Sequence, residues 1–150
     1  TLVGDSEETY IDESIYFSGT LDIRDRLSLT TLPRKLEIGR NLSILNCHAI
    51  EALPDGLRVR GSLSLMGCTS LSLLPEGLTV GGALDVYGCP AINIIPENLS
   101  VGGDFRLHGC TEIRFLPDDM SVGGNLYMQD CHSLDYLAAH HGIGGEIIRF

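Results

Sequence analysis

Five thiols set at a constant interval are the first residues whose chemistry demands an account: Cys47, Cys68, Cys89, Cys110 and Cys131 stand 21 residues apart. Thiolates ligate metals and attack electrophiles, so a cysteine ladder raises the prospect of a metal or redox centre. The spacing argues against both. Tetrahedral zinc needs four ligands converging on one point, whereas a residue that recurs once per repeat stacks into a column and its side chains lie along a line. The chain has no CxxC pair and an odd number of cysteines, which predicts free thiols in a reducing compartment and no disulfide framework. The histidines invite the same question at His132, His140 and His141, but adjacent residues of extended backbone point apart, which predicts solvated rings. A nucleophilic triad can be drawn from Ser64, Asp85 and His108, one from each of three successive repeats. Such a triad needs a recessed site with oxyanion donors, and an open sheet face offers neither. No catalytic residue, metal site or cofactor is expected, and any catalytic domain would lie outside this chain.

The elements that position these residues follow from the period itself. Leu32-Pro33, Leu53-Pro54, Leu74-Pro75, Ile95-Pro96 and Leu116-Pro117 keep the same 21-residue step, and the units share the consensus LPxxLxVGGxLxLxGCxxLxx. The chain therefore divides into a polar lead-in (1–10) and a solenoid (11–150). The solenoid opens with a degenerate capping repeat at 11–31, continues with five full repeats over 32–136 and ends in a partial one at 137–150. Alternation in LxL, as in Leu84-Asp85-Val86, predicts one half-buried strand per coil. The residue before each cysteine is Asn46, Gly67, Gly88, Gly109 or Asp130, the types that best tolerate positive φ, so a tight turn should follow every strand. The pairs Gly81-Gly82, Gly102-Gly103 and Gly123-Gly124 mark a second corner, and the recurrent proline discourages a long helix on the return path. Extended or 3₁₀-like segments are expected there.

Composition sets the outer limits. The 150 residues are 43% hydrophobic and only 6% aromatic, with no tryptophan, which suits a narrow aliphatic interior. The formal charge of −10 repels phosphate backbones and anionic membrane surfaces, so nucleic acid is not an expected partner. No stretch is long and apolar enough for a membrane span, and none resembles a signal peptide. The chain begins at Thr1, which leaves flanking domains as an expectation.

The phrase LxLxGCxxLxxLP, running from Leu63 through Gly67-Cys68 and Leu71 to Leu74-Pro75, resembles the conserved segment of leucine-rich repeats, with cysteine where many such repeats carry asparagine. The short unit and the Leu-Pro step are similar to the leucine-rich repeats of secreted bacterial virulence effectors. That resemblance covers roughly residues 11 to 150. It implies a solenoid with a parallel sheet on its concave face, extended or 3₁₀ segments on the back and little α-helix, with the ladder cysteine turned inward to satisfy turn backbone. It also implies a region that recognises a host protein after delivery into the host cell, alongside a separate domain, often a ubiquitin ligase, that does the chemistry. The VGG stretch departs from the pattern by adding a second strand-like segment, which keeps a parallel β-solenoid open as the alternative.

Function must then be read from the outward positions of the strand. Three columns run across the coils. The first, Thr20, Asn41, Ser62, Ala83, Asp104, Asn125, is small and polar. The second runs Asp22, Ser43, Ser64, Asp85, Arg106, Tyr127, and the third Arg24, Leu45, Met66, Tyr87, His108, Gln129. Aromatic residues, Met and Arg are the types enriched at protein interfaces. The expected site is therefore a protein- or peptide-binding face made by Met66, Asp85, Tyr87, Arg106, His108, Tyr127 and Gln129 on a monomer. A structural or self-assembling spacer without a dedicated ligand remains the alternative. Two further columns are expected to be unremarkable: the acidic Asp55, Glu76, Glu97, Asp118 row as a solubility device, and Ala52, Leu73, Ile94, Phe115, Tyr136 as the edge of the core.

Overall fold

The computed structural model describes the backbone of residues 8–11, 14–134 and 142–149, and the side chains of 14–134 and 142–149. Within each coil the LxV and LxL stretches form separate short strands. In chain order these are β1 (Glu8–Ile11), β2 (Ser14–Phe17), β3 (Leu21–Arg24), β4 (Leu36–Ile38), β5 (Leu42–Leu45), β6 (Arg58–Val59), β7 (Leu63–Ser64), β8 (Thr79–Val80), β9 (Leu84–Asp85), β10 (Ser100–Val101), β11 (Phe105–Arg106), β12 (Ser121–Val122), β13 (Leu126–Tyr127) and β14 (Ile147–Ile148). Two seven-stranded sheets result, β1-β2-β4-β6-β8-β10-β12 and β14-β13-β11-β9-β7-β5-β3. All pairings are parallel and in register at the repeat period, as in Leu63 with Leu84 and Phe105 with Leu126, except that β1 folds back antiparallel on β2. No helix occurs among the described residues.

The fold is thus a repeat solenoid, and the second strand of each coil gives it the β-solenoid form. A single strand face with an irregular back would have left the VGG stretch without backbone partners. Stacking satisfies its N–H groups instead, as in Gly81 N donating to Val59 O and Gly102 N to Val80 O, both at 2.8 Å. A third side is closed by the LxxLP stretch, where single parallel bridges join Ala52 to Leu73 and Leu73 to Ile94. The return path is built from extended segments and turns. Leu57 N donates to Pro54 O at 3.3 Å and Leu71 N to Cys68 O at 3.1 Å, which close the two turns of the coil beyond its glycine corner.

Corners carry the strongest sequence constraints. The residue before the cysteine has positive φ at Asn46 (54°), Gly67 (69°), Gly88 (68°), Gly109 (72°) and Asp130 (59°), so the type restriction at that position has the conformational cause expected of it. The Gly-Gly corner has a different cause. A Cβ at Gly102 would lie 2.1 Å from the carbonyl oxygen of Gly81 in the preceding coil, so glycine there permits close coil-to-coil approach.

The interior is one continuous aliphatic column. In the coil from Leu63 to Val80, the side chains of Leu63, Leu65, Cys68, Leu71, Leu74, Leu78 and Val80 are all buried. Four of the ladder cysteines are fully buried and Cys131 is half-buried. Each thiol from Cys68 onward points at a carbonyl of the coil before it: Cys68 at Ile44 (3.4 Å), Cys89 at Leu65 (2.6 Å), Cys110 at Val86 (3.7 Å) and Cys131 at Leu107 (2.8 Å). The ladder is internal and structural.

Burial pushes the Cys110 thiol up to about 12 and raises Cys47 and Cys131 as well, while Cys89 is held up by its hydrogen bond with Cys68 and by burial. A thiol whose folded pKa exceeds its unfolded value keeps its proton in the coil after the unfolded chain has lost it. For Cys110 this stabilisation is complete below about pH 9 and is lost as pH rises toward about 12, at up to about 1.4 kcal/mol per pH unit. The urea midpoint should fall between pH 8.5 and 10.5, and the fall should be shallower in Cys110→Ala. Equal slopes in the two proteins would contradict a buried, protonated thiol.

Candidate functional site

The second sheet turns its outward positions into one surface, and the structure distributes the expected site residues unevenly across it. At the N-terminal end Arg24 closes on Asp22 of its own strand at 2.6 Å. That hydrogen bond and the charge behind it hold the Asp22 carboxyl below its ordinary value. Ser43 and Ser64 follow as small half-buried groups. Aromatic side chains begin just beyond β9, at Tyr87.

Tyr87, His108 and Tyr127 form a chain of edge-to-face rings. The Tyr87 and His108 centroids are 6.0 Å apart at an interplanar angle of 82°, and those of His108 and Tyr127 are 6.3 Å apart at 71°. The guanidinium of Arg106 lies 5.4 Å from the Tyr127 ring centroid, and its Nη2 is 2.8 Å from Asp104 Oδ2. Asn125 Nδ2 donates to the Tyr127 hydroxyl at 3.2 Å. One network therefore connects coils through Tyr87, Asp104, Arg106, His108, Asn125 and Tyr127. Asp85 is held locally, since its Oδ1 accepts the backbone N–H of Tyr87 at 3.0 Å.

Exposure separates the members. Tyr87 is 53% exposed and Met66 41%, while Asp85, Arg106, His108, Tyr127 and Gln129 are half-buried. His108 was expected to meet a partner through its ring. Its Nε2 is instead buried without a hydrogen-bond partner, so the ring spaces the two tyrosines and reaches no solvent through that nitrogen. Met66 and Gln129 lie toward the two ends of the cluster and take no side-chain part in its hydrogen bonds among the described residues. The third column also differs from the reading of it as strand. Met66, Tyr87, His108 and Gln129 stand in the turn just beyond β7, β9, β11 and β13, which lets them splay outward.

Asp104 and Asn125, small polar residues of the first column, have a role that their types alone do not reveal. Asp104 Oδ1 accepts the N–H of Asn125 and Asn125 Oδ1 that of Glu146, as Asn41 Oδ1 does from Ser62 and Ser62 Oγ from Ala83. The column is a ladder of side-chain caps on the corner backbone of the next coil. Its 21-residue recurrence of short acceptors was the available signal.

The apolar row on the third side is a second correction. Leu73 is 49% exposed, Ile94 58% and Phe115 68%, and Ala52 is exposed as well, so these residues are not the edge of the core. In the LxxLP stretch the buried partners are the flanking leucines and isoleucines, such as Leu71 and Leu74, and the residue between faces out. Tyr136 of this row, with His140 and His141, lies outside the described residues.

The triad drawn from Ser64, Asp85 and His108 is not hydrogen-bonded as one among the described residues. Asp85 serves Tyr87 and not His108, and Cys68, Cys89 and Cys110 are sealed in the interior. Together the two sheets and the 21-residue coil define a repeat protein of the parallel β-solenoid class. No protein-family model matches the chain, and neither a curated protein nor a solved structure is significantly similar to it.

Proposed function

We propose that the solenoid is a protein-recognition module and that it binds through the outward face of its second sheet. One observation carries this reading: Tyr87, His108, Tyr127 and Arg106 form a contiguous aromatic and cationic surface, and Tyr87 at one end of it leaves half of its area to solvent. Tyrosine and arginine are the residue types that concentrate binding energy at interfaces. The first sheet offers a contrast: Tyr16, with Arg60 5.5 Å from its ring centroid, is the one aromatic of an outward column that continues through Glu37, Arg58, Thr79, Ser100 and Ser121, so no run of rings forms there among the described residues. The cluster is held by neighbouring coils and so is ordered before a partner arrives, which reduces the entropic cost of association.

The reading includes no chemistry by this chain. Kinship with the leucine-rich repeats of secreted effectors, and hence a host protein as partner, belongs to the same proposal and is supported by the LxLxGCxxLxxLP phrase. Immobilised protein should retain specific partners that a Tyr87→Ala/Arg106→Ala double variant loses by at least about tenfold, with hot-spot truncations costing about 2 kcal/mol each. Both positions lie outside the core, so thermal melting should be nearly unchanged. Retention of the same partners by the double variant would overturn the assignment of this face, and a mass that rises with concentration in light scattering would favour the self-assembling spacer.

A further inference from the structure

The third side of the coils carries a surface that neither sheet uses. Leu73, Ile94 and Phe115 each stand one residue before a buried aliphatic, Leu74, Ile95 and Leu116, and their outward placement stacks them into an apolar stripe. Asp55, Glu76 and Glu97 run beside it as an acidic rail, and a groove of about 700 Å³ is lined by both rows and by Pro75 and Pro96 between them. The opposite flank, Glu51, Ser72, Asn93 and Arg114, has no net charge.

We propose that this groove is the seat for an amphipathic helix of a partner protein, with an apolar stripe bordered by Lys or Arg. Contiguous rows of large exposed apolar side chains mark interaction sites on proteins of this size. The charge selects the occupant. A second copy of this chain would bring its own acidic rail against the first, on molecules of formal charge −10, whereas a basic flank meets the rail with opposite sign. The spacing selects the secondary structure. Coils repeat about every 4.8 Å, so the stripe from Leu73 to Phe115 spans about 10 Å. Helical positions i, i+3 and i+7 span about 10.5 Å on one face. Same-face residues of a strand recur about every 6.7 Å and fall out of step with each coil.

The probe is a fluorescein-labelled helical peptide of about 14 residues built from Leu and Lys, with Leu at i, i+3, i+4 and i+7. Two controls accompany it: one with Glu for Lys, and one with the same composition scrambled so that no apolar face forms. Fluorescence anisotropy should show saturable binding of the Leu/Lys peptide at micromolar concentration, weakened at least about fivefold between about 50 and about 500 mM salt. The Glu peptide should not bind, and the scrambled one should bind at least about tenfold more weakly. Ile94→Ser/Phe115→Ser should cost at least about tenfold, as should Glu76→Lys/Glu97→Lys. These side chains are exposed, so circular dichroism should report unchanged fold. Absence of saturable binding to the unaltered protein overturns the proposal. So does binding that survives both groove variants, and if Tyr87→Ala/Arg106→Ala then removes it, the peptide belongs to the sheet face. The two surfaces are separate, so loss of one reading leaves the other standing.

Discussion

Phe105→Ala should lower the stability of the solenoid by about 3–5 kcal/mol, the range for deleting a buried aromatic ring. Phe105 is fully buried at the start of β11 and is the one ring in a column otherwise made of Leu21, Leu42, Leu63, Leu84, Leu126 and Ile147. It pairs directly with Leu84 on one side and Leu126 on the other. Two coils must therefore be shaped around it, and neither can close the space left behind without breaking register with its other neighbour. Because each coil of a repeat stack contacts only the next, the cavity weakens one junction and leaves the rest intact. Urea unfolding followed by far-UV circular dichroism should show both a lower midpoint and a smaller m-value, as the coils on the two sides of residue 105 begin to unfold separately. Phe115→Ala is the internal control. At 68% exposure the same deletion should cost less than about 0.5 kcal/mol. A loss below about 1 kcal/mol at Phe105 would mean that the interior is not packed around the ring.

Gly102→Ala should cost about 2–4 kcal/mol, more than the roughly 1 kcal/mol that separates glycine and alanine by propensity alone and opposite to it in sign. The added Cβ would meet Gly81 O at 2.1 Å, with Gly81 C at 3.0 Å. Both are backbone atoms, so no rotamer change relieves the contact, and the corner must move by about 1 Å while Gly102 N is bonded to Val80 O at 2.8 Å. The next coil repeats the constraint, since a Cβ at Gly123 would meet Gly102 O at 2.3 Å. Arg60 stands in the same column, so a side chain is admitted at that row, and nothing in the structure explains the exception. Thermal melting should place Gly102→Ala well below Gly77→Ala. Gly77 has positive φ, unlike Gly102, but a Cβ there meets nothing within 4 Å, and its cost is the conformational one of about 1 kcal/mol. Equal melting temperatures for the two would remove coil-to-coil approach as the reason for the glycine corner.

These two residues also show what could be read in advance. A period of 21 residues predicts stacked coils because identical units bury identical faces only when placed one above the other, and that inference needs no coordinates. The same logic made the cysteine ladder structural, located the positive-φ turn at Asn46, Gly67, Gly88, Gly109 and Asp130, and identified the VGG stretch as a second extended segment. Each of these depends on residues within one coil and on the bare fact of stacking.

Other features depend on which way the coil closes, and the repeat does not encode that in any single unit. Leu73, Ile94 and Phe115 are as apolar as their buried neighbours, and only the direction of the LxxLP turn decides that they face solvent. His108 shares an outward column with Tyr87, yet its Nε2 is buried between coils without a partner. Asp104 and Asn125 acquire their capping role from the position of the next coil's N–H groups. The sequence by itself determined the period, the two extended segments of each coil, the positive-φ turn and the stacking of Cys47, Cys68, Cys89 and Cys110 into a column, because local conformation and stacking are sufficient causes for all of them. Only the tertiary structure decided that two sheets and a third side enclose the core, that an aromatic cluster gathers at Tyr87 and Tyr127, and that an apolar groove opens beside Glu76 and Glu97. Those depend on the angles between successive segments of the coil, which are set by packing across the interior and not by any one residue.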